Sequence, residues 1–386
     1  MKRFCSGFFC LLFFACMFMT GCGETQDSKA DDFAVMFANA GRCDAIIVRA
    51  QGKFYMIDTG LKESAPKVLR ALDCMQVDKL TAVFLTHTHK DHIGGLAAVA
   101  QRYEIGCVYA AEISHNKKDG SNAITELTAE LGLHLRRLKA GEAVKAGDSL
   151  RFEVIGPLEY NEEDDNDNSL VLSLWVNGRR LLFAGDMQFA EEKSLMRGSV
   201  PLSADVLKVG NHGNPDATGD SFAAAVSPEL AFITTDTQQD KNSANERVVA
   251  ALKNNGAEIV LSEQFSVGAL LTIAQDGAMN VSDPPQSAAE EKLLLSEPDR
   301  EQQAITVSNI GENAVQLQNF FLFSERNSEI FVFPSYLLKP GESVTVSCTA
   351  VGDLTWPLEK VFGKKKSNPT ALYNAAGNLI CRVEGE

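Results

Sequence analysis

The sequence predicts a mixed α/β sandwich, two sheets covered by helices, followed by a small all-β sandwich. Three observations lead there. From residue 33 to about 283, short apolar runs alternate with turn signals and helical stretches. One run, Ala82-Val83-Phe84-Leu85, leads directly into a cluster of histidines and an aspartate. Beyond residue 304, helical periodicity disappears and short strands alternate with turn residues.

In chain order, 33–37 reads as a strand, and 45–48 and 54–57 as two more, joined by the hairpin signal Gln51-Gly52-Lys53. Residues 65–75 read as a helix with Pro66 in its first turn, 82–85 as a short buried strand, and 93–103 as a helix opened by Gly94-Gly95. Another helix is expected at 124–131, with strands at 150–155, 170–176 and 181–184. Helices at 190–196, 221–225 and 245–254 then surround strands at 230–234 and 259–261. Residues 284–303 are rich in Pro, Ser, Ala and Glu and read as a linker with a helical middle. Strand-like runs at 305–307, 320–323, 330–333 and 344–348 fill the last region, 304–386.

The 386 residues suffice for two or three domains, and a hydrophobic share of 45% suffices for a sizeable core. A formal net charge of −15 opposes tight, sequence-independent binding to a phosphate backbone, without excluding a local basic patch. Lys2 and Arg3 precede an apolar stretch at 8–19, too short for the roughly 20 residues of a spanning helix. It ends in Met19-Thr20-Gly21-Cys22, which resembles a bacterial lipobox. That resemblance implies a signal peptide at 1–22, a lipid on Cys22 and a polar tether at 23–32, and so an extracytoplasmic chain anchored to the cell membrane. No later segment is long and apolar enough to span a bilayer. Cys43, Cys74, Cys107, Cys348 and Cys381 remain, an odd number. Cys348 and Cys381 either pair or stay as thiols.

The strongest chemical signal is Thr86-His87-Thr88-His89-Lys90-Asp91-His92-Ile93-Gly94-Gly95. Four ligand-type side chains crowd one loop after a strand, in a chain with only six histidines. A tight loop aims such groups at one point, where a helix or strand would splay them. Imidazole nitrogen and carboxylate oxygen suit Zn²⁺, and also Mn²⁺ or Fe. His115 and His134 lie outside this cluster and read as surface or helix residues; Cys43, without other soft partners, reads as no ligand.

At these residues the sequence resembles the metallo-β-lactamase superfamily, whose pattern is H-x-H-x-D-H after a strand. Within it, the chain is similar to the C-terminal domain of the competence protein ComEC and its stand-alone relatives. Gly41-Arg42-Cys43-Asp44-Ala45, Ile57-Asp58-Thr59-Gly60, Asn166 through Leu172, Ala184-Gly185-Asp186 and Leu207-Lys208-Val209-Gly210-Asn211-His212-Gly213 follow that group's motifs in order over 33–283. The resemblance implies an αββα sandwich binding one or two divalent ions, Zn²⁺ first and Mn²⁺ second. His87 and His89 would hold one ion; Asp91, His92 and His212 the other; Asp186 would bridge them. Asp58 would orient the histidine loop, or else merely cap a turn. Two departures stand out. Asn168 and Ser169 occupy the stretch where many members supply a further histidine, which makes a one-ion site an option. Asn211 replaces the first histidine of His-His-Gly, where it would orient substrate or water.

The chemistry so implied is attack by hydroxide from an acidified, metal-held water on phosphorus or a carbonyl carbon, with Asp91 orienting the water or carrying a proton. Lys208 would steady an anionic group, or simply end its strand in solvent. The resemblance favours phosphodiesters, DNA included. Against polyanions stands the run Glu159, Glu162, Glu163, Asp164, Asp165 and Asp167, read as a solvated loop. A hydrolase of another ester or lactone, or a non-catalytic surface-anchored binding protein, is the alternative. The stretches 305–311, 338–346 and 372–380 with Trp356 resemble a lamin-tail domain, an immunoglobulin-like sandwich. Its Lys364-Lys365-Lys366 would contact an envelope polymer, or stay an exposed turn.

Overall fold

The computed structural model describes residues 33–147, 150–286, 288–363 and 365–385; the expected leader, Cys22 and tether lie outside them. Among the described residues two large sheets face each other. The first has eight strands in the order Met279–Ser282, Gly268–Ile273, Phe33–Ala38, Ala45–Ala50, Lys53–Thr59, Ala82–Leu85, Val108–Ala111 and Leu135–Leu138. The second has seven: Glu258–Leu261, Leu230–Ile233, Val206–Lys208, Arg179–Phe183, Val171–Val176, Arg151–Gly156 and Ala143–Lys145.

Strand alternation explains the layering. In Phe33–Ala38, Phe33, Val35 and Phe37 enter the core between the sheets, while Ala34, Met36 and Ala38 face the covering helices. Phe37 stacks on Phe232 of the opposite sheet, ring centroids 4.0 Å apart. Helices Ala65–Cys74, Leu96–Arg102 and Ala123–Glu130 cover the first sheet; Phe189–Arg197, Asp220–Val226 and Glu246–Asn254 cover the second. The 51–53 hairpin turn forms as expected, because Gln51 and Gly52 both adopt the positive φ that a tight hairpin demands.

The C-terminal region is all-β. Its sheets run Leu293–Leu295, Ala304–Asn309, Ser343–Ser347, Leu354–Thr355 and Glu329–Val332, Phe321–Ser324, Thr370–Tyr373, Leu379–Val383. They enclose a core around Trp356, Phe331, Phe333 and Phe362. The expected helical middle of 284–303 is instead the strand Leu293–Leu295, antiparallel to Ala304–Asn309, because Leu293 and Leu295 alternate into that core. Cys348 and Cys381 are both free thiols, so the pairing option fails. Phe321, Phe323 and Ile330 leave their own sandwich's core and join that beneath the helices Ala65–Cys74 and Leu96–Arg102. Arg102 ties the two regions, donating to Asp73 and to the Ala375 carbonyl, both at 2.8 Å.

Candidate metal centre

The site's loops leave matching strand ends. Lys53–Thr59 runs parallel to Ala82–Leu85, and Arg179–Phe183 parallel to Val206–Lys208. Asp58 and the histidine loop therefore emerge together from one sheet, and Asp186 and His212 from the other.

The histidine loop is shaped by backbone contacts. His89 has extended geometry, and its carbonyl accepts from the N–H groups of His92 and Ile93, both at 3.1 Å, starting a single helical turn, Lys90–Ile93. The expected continuous helix at 93–103 is broken after Ile93 and resumes as Leu96–Arg102. The break packs against the Asp58 turn: a Cβ on Gly95 would stand 2.0 Å from the Thr59 carbonyl oxygen, and the Gly95 N–H donates to Gly60.

Asp91, His92, Asp186 and His212 converge, each offering a ligand-type atom within 4.8 Å of the others. Asp186 Oδ2 lies 3.1 Å from His92 Nε2 and 3.2 Å from His212 Nε2. Despite that proximity, Nε2 of His87, His92 and His212 and Oδ1 of Asp186 are buried without a hydrogen bond. A buried polar atom left unpaired costs about 1–3 kcal/mol. Several of them aimed at one point fit a divalent ion, whose N/O donor set this is. Burial resists charge on these groups, but Asp186 and Asp58 outweigh it and raise His92 well above the ordinary imidazole value. Likewise, against burial, Asp186 and Asp44 push His212 up to about 9. The same imidazoles hold the buried Asp186 carboxyl well below its ordinary range.

A ring of partners orients these groups. Asp58 accepts from the Thr86 N–H at 2.8 Å, the Thr86 hydroxyl at 2.7 Å and His92 Nδ1 at 2.7 Å, so it holds the loop rather than capping a turn. His212 Nδ1 donates to the Thr234 carbonyl at 2.9 Å. Lys208 is wholly buried, not in solvent: its ammonium binds Asp44 and donates to the Gly185 carbonyl at 2.8 Å.

The remaining residues are placed differently. His87 is buried, with Nδ1 near the Thr86 and Ser169 hydroxyls at 3.0 and 3.3 Å, while His89 is exposed. Ser169 Oγ also accepts from the Asp186 N–H at 3.0 Å. Asn168 is turned away, bonded to Asn161 and Asp165. Asn211 is 4% exposed and donates to Asp216 at 2.9 Å. The acidic run is only half solvated. Glu159, Glu162 and Glu163 are exposed, but Asp165 accepts from the Thr88 N–H and hydroxyl and the His115 N–H, and Asp167 from the N–H groups of Gln188 and Glu191. His134 is exposed and His115 half-buried, neither on a helix; Cys43 is buried and pushed by burial up to about 11. Asp44 and Thr234 carry no role in the sequence reading; the signals for Asp44 are its place in the motif Gly41-Arg42-Cys43-Asp44-Ala45 and a charge directly before the apolar strand Ala45–Ala50.

A family model for the metallo-beta-lactamase superfamily matches residues 38–234, half of the chain, spanning every group just described. The chain belongs to the metallo-beta-lactamase superfamily. Members of this superfamily are generally hydrolases, and the fold usually binds one or two metal ions. ComE operon protein 3 of Bacillus subtilis is 25% identical over 190 residues, 49% of this chain and 24% of that protein. Competence protein ComA of Neisseria gonorrhoeae is 26% identical over 245 residues, 62% of this chain and 33% of the relative. This metallo-beta-lactamase superfamily chain thus matches a third or less of these relatives' length. Among solved structures, the metallo-beta-lactamase fold protein YhfI of Bacillus subtilis has a TM-score of 0.42 at 10% identity, covering 63% of this chain and 100% of that one. No described helix is long and apolar enough to cross a membrane.

Proposed function

We propose that this chain is a metal-dependent hydrolase of phosphodiester bonds, with DNA as a candidate substrate. The observation that carries the reading is the convergence of Asp91, His92, Asp186 and His212 around buried, unpaired ligand atoms. A divalent ion there, Zn²⁺ first and Mn²⁺ second, supplies Lewis acidity and an acidified water. Asp186 brings its carboxylate between the two imidazoles, and Asp58 fixes the His92 ring through Nδ1, leaving Nε2 for the ion. The Asp91 side chain is 17% exposed, the most open of the four, which suits it to orient the attacking water and take its proton. His87 and His89 would hold a second, weaker ion.

The motif resemblance to the ComEC-like group, in the order given above, supports a phosphodiester substrate, nucleic acid included. A second reading, a small ester or lactone, is favoured by exposed Glu159, Glu162 and Glu163 on the loop that grips Thr88, since they repel polyanions. The setting proposed is extracytoplasmic, through a lipid on Cys22, with the C-terminal sandwich as a lamin-tail-like module contacting envelope polymer through exposed Lys365 and Lys366.

The test is metal analysis of purified chain with turnover of a bis-nitrophenyl phosphodiester, single- and double-stranded DNA and a lactone. Bound ion, diester cleavage and loss of both in His92→Ala are expected. Absence of ion, with turnover unchanged in His92→Ala, overturns the reading; lactone turnover without diester cleavage selects the second.

A further inference from the structure

Lys208 ends the strand Val206–Lys208 with its side chain at 0% exposure. Burying an ammonium costs several kcal/mol unless close charges and hydrogen bonds offset it, and a methionine would fill the same space without that cost. The ammonium touches the Asp44 carboxylate, donates to the Gly185 carbonyl at 2.8 Å and lies 3.6 Å from Asp186 Oδ1. Asp44 in turn accepts from the Thr234 hydroxyl, and the Thr234 carbonyl holds His212 Nδ1. One buried cation thus links the turn carrying Asp186 to the loop carrying His212.

Asp44 also belongs to a second convergence. Ligand-type atoms of Asp44, Asp58 and His92 lie within 4.8 Å of one another, with Asp44 Oδ2 3.9 Å from His92 Nδ1, whose hydrogen goes to Asp58. Two buried carboxylates this close repel, and the His92 N–H is spent on Asp58, so the charge on Asp44 needs a cation of its own. Lys208 stands at the Asp44 end of that group.

We propose that Lys208 is a built-in cation: its ammonium takes the place of an ion held by Asp44, Asp186 and the Gly185 carbonyl and, through Gly185 and Asp44, positions Asp186 and His212. The positioning clause rests on the hydrolase reading; the ion-replacement clause does not. Without the ammonium, Asp44 becomes a bare carboxylate beside the candidate centre and competes with it for divalent ions.

The experiment compares full-length wild type, Lys208→Met and Asp44→Asn/Lys208→Met, stripped with chelator and re-equilibrated with Mn²⁺. Ions per chain are read by elemental analysis and folding by far-UV circular dichroism and thermal melts. Lys208→Met is expected to bind one ion more than wild type, with a melting midpoint more responsive to Mn²⁺; the double variant returns to the wild-type count. A folded Lys208→Met with the wild-type count and Mn²⁺ response overturns the proposal. Should Lys208→Met fail to fold, Mn²⁺ or the added Asp44→Asn restores it; if neither does, Lys208 acts by packing and the proposal falls. A wild-type chain that binds no ion sinks the hydrolase reading, while the difference between variant and wild type still decides Lys208.

Discussion

The two halves of the histidine loop are built to different standards. His92 has its Nδ1 fixed by the Asp58 carboxylate and its Nε2 beside Asp186, with His212 arriving from the opposite sheet. His87 is backed only by two hydroxyls, and His89 is exposed. A carboxylate behind an imidazole fixes its tautomer and raises its basicity; a hydroxyl does so more weakly. The lesson is that identical ligand letters within one motif predict unequal affinity, and ions should load stepwise, the Asp91–His92 half first.

The harshest way to break this contrast is Asp186→Asn, which removes the carboxylate shared by His92 and His212. Calorimetric titration with Zn²⁺ should then show loss of the tight binding event altogether. Asp58→Asn comes next: it keeps every ligand but loosens His92, and a drop of roughly 10–100-fold in affinity is expected by chelator competition. His89→Ala should be milder, removing only the weaker second event and changing the first by less than about 3-fold, which stoichiometry at rising Zn²⁺ would reveal. Equal damage from His89→Ala and His92→Ala would erase the distinction between the halves. The smallest effect is on pH dependence. Glu192, 2% exposed, accepts from the N–H groups of Thr218 and Gly219, beyond His212 in the same connection. Burial pushes it from 4.5 up to about 7. A raised folded-state value means its contribution is complete below the ordinary 4.5 and is lost as pH climbs through about 7. Glu192→Gln should therefore gain melting temperature relative to wild type between about pH 5 and about pH 8; a flat difference would show the carboxylate ionised throughout.

Much of this was legible because the decisive signals are local. Four apolar residues between polar ones mark the strand Ala82–Leu85 end for end, and ligand density marks the loop after it. What was hidden depends on partners far away in the chain. Nothing near Lys208 announces that Asp44, in the turn before the strand Ala45–Ala50, will draw it inside. Asp165 and Asp167 looked like part of a solvated run, since their N–H donors lie on other segments. Asn168 and Asn211 have partners close by, Asp165 and Asp216, but motif position says nothing of which way an amide turns. The break at Gly94-Gly95 comes from the Thr59 carbonyl pressed against Gly95, a contact across 36 positions that helical periodicity cannot register.

Phe321, Phe323 and Ile330 sit in the same apolar core as the helices that follow the Asp58 turn and the histidine loop. Protein engineers who trim this chain to its first sandwich would peel an aromatic cover from those helices and expose a sticky surface. The resulting fragment should precipitate or misbehave in solution, and its poor behaviour would say nothing about the chemistry of the intact chain.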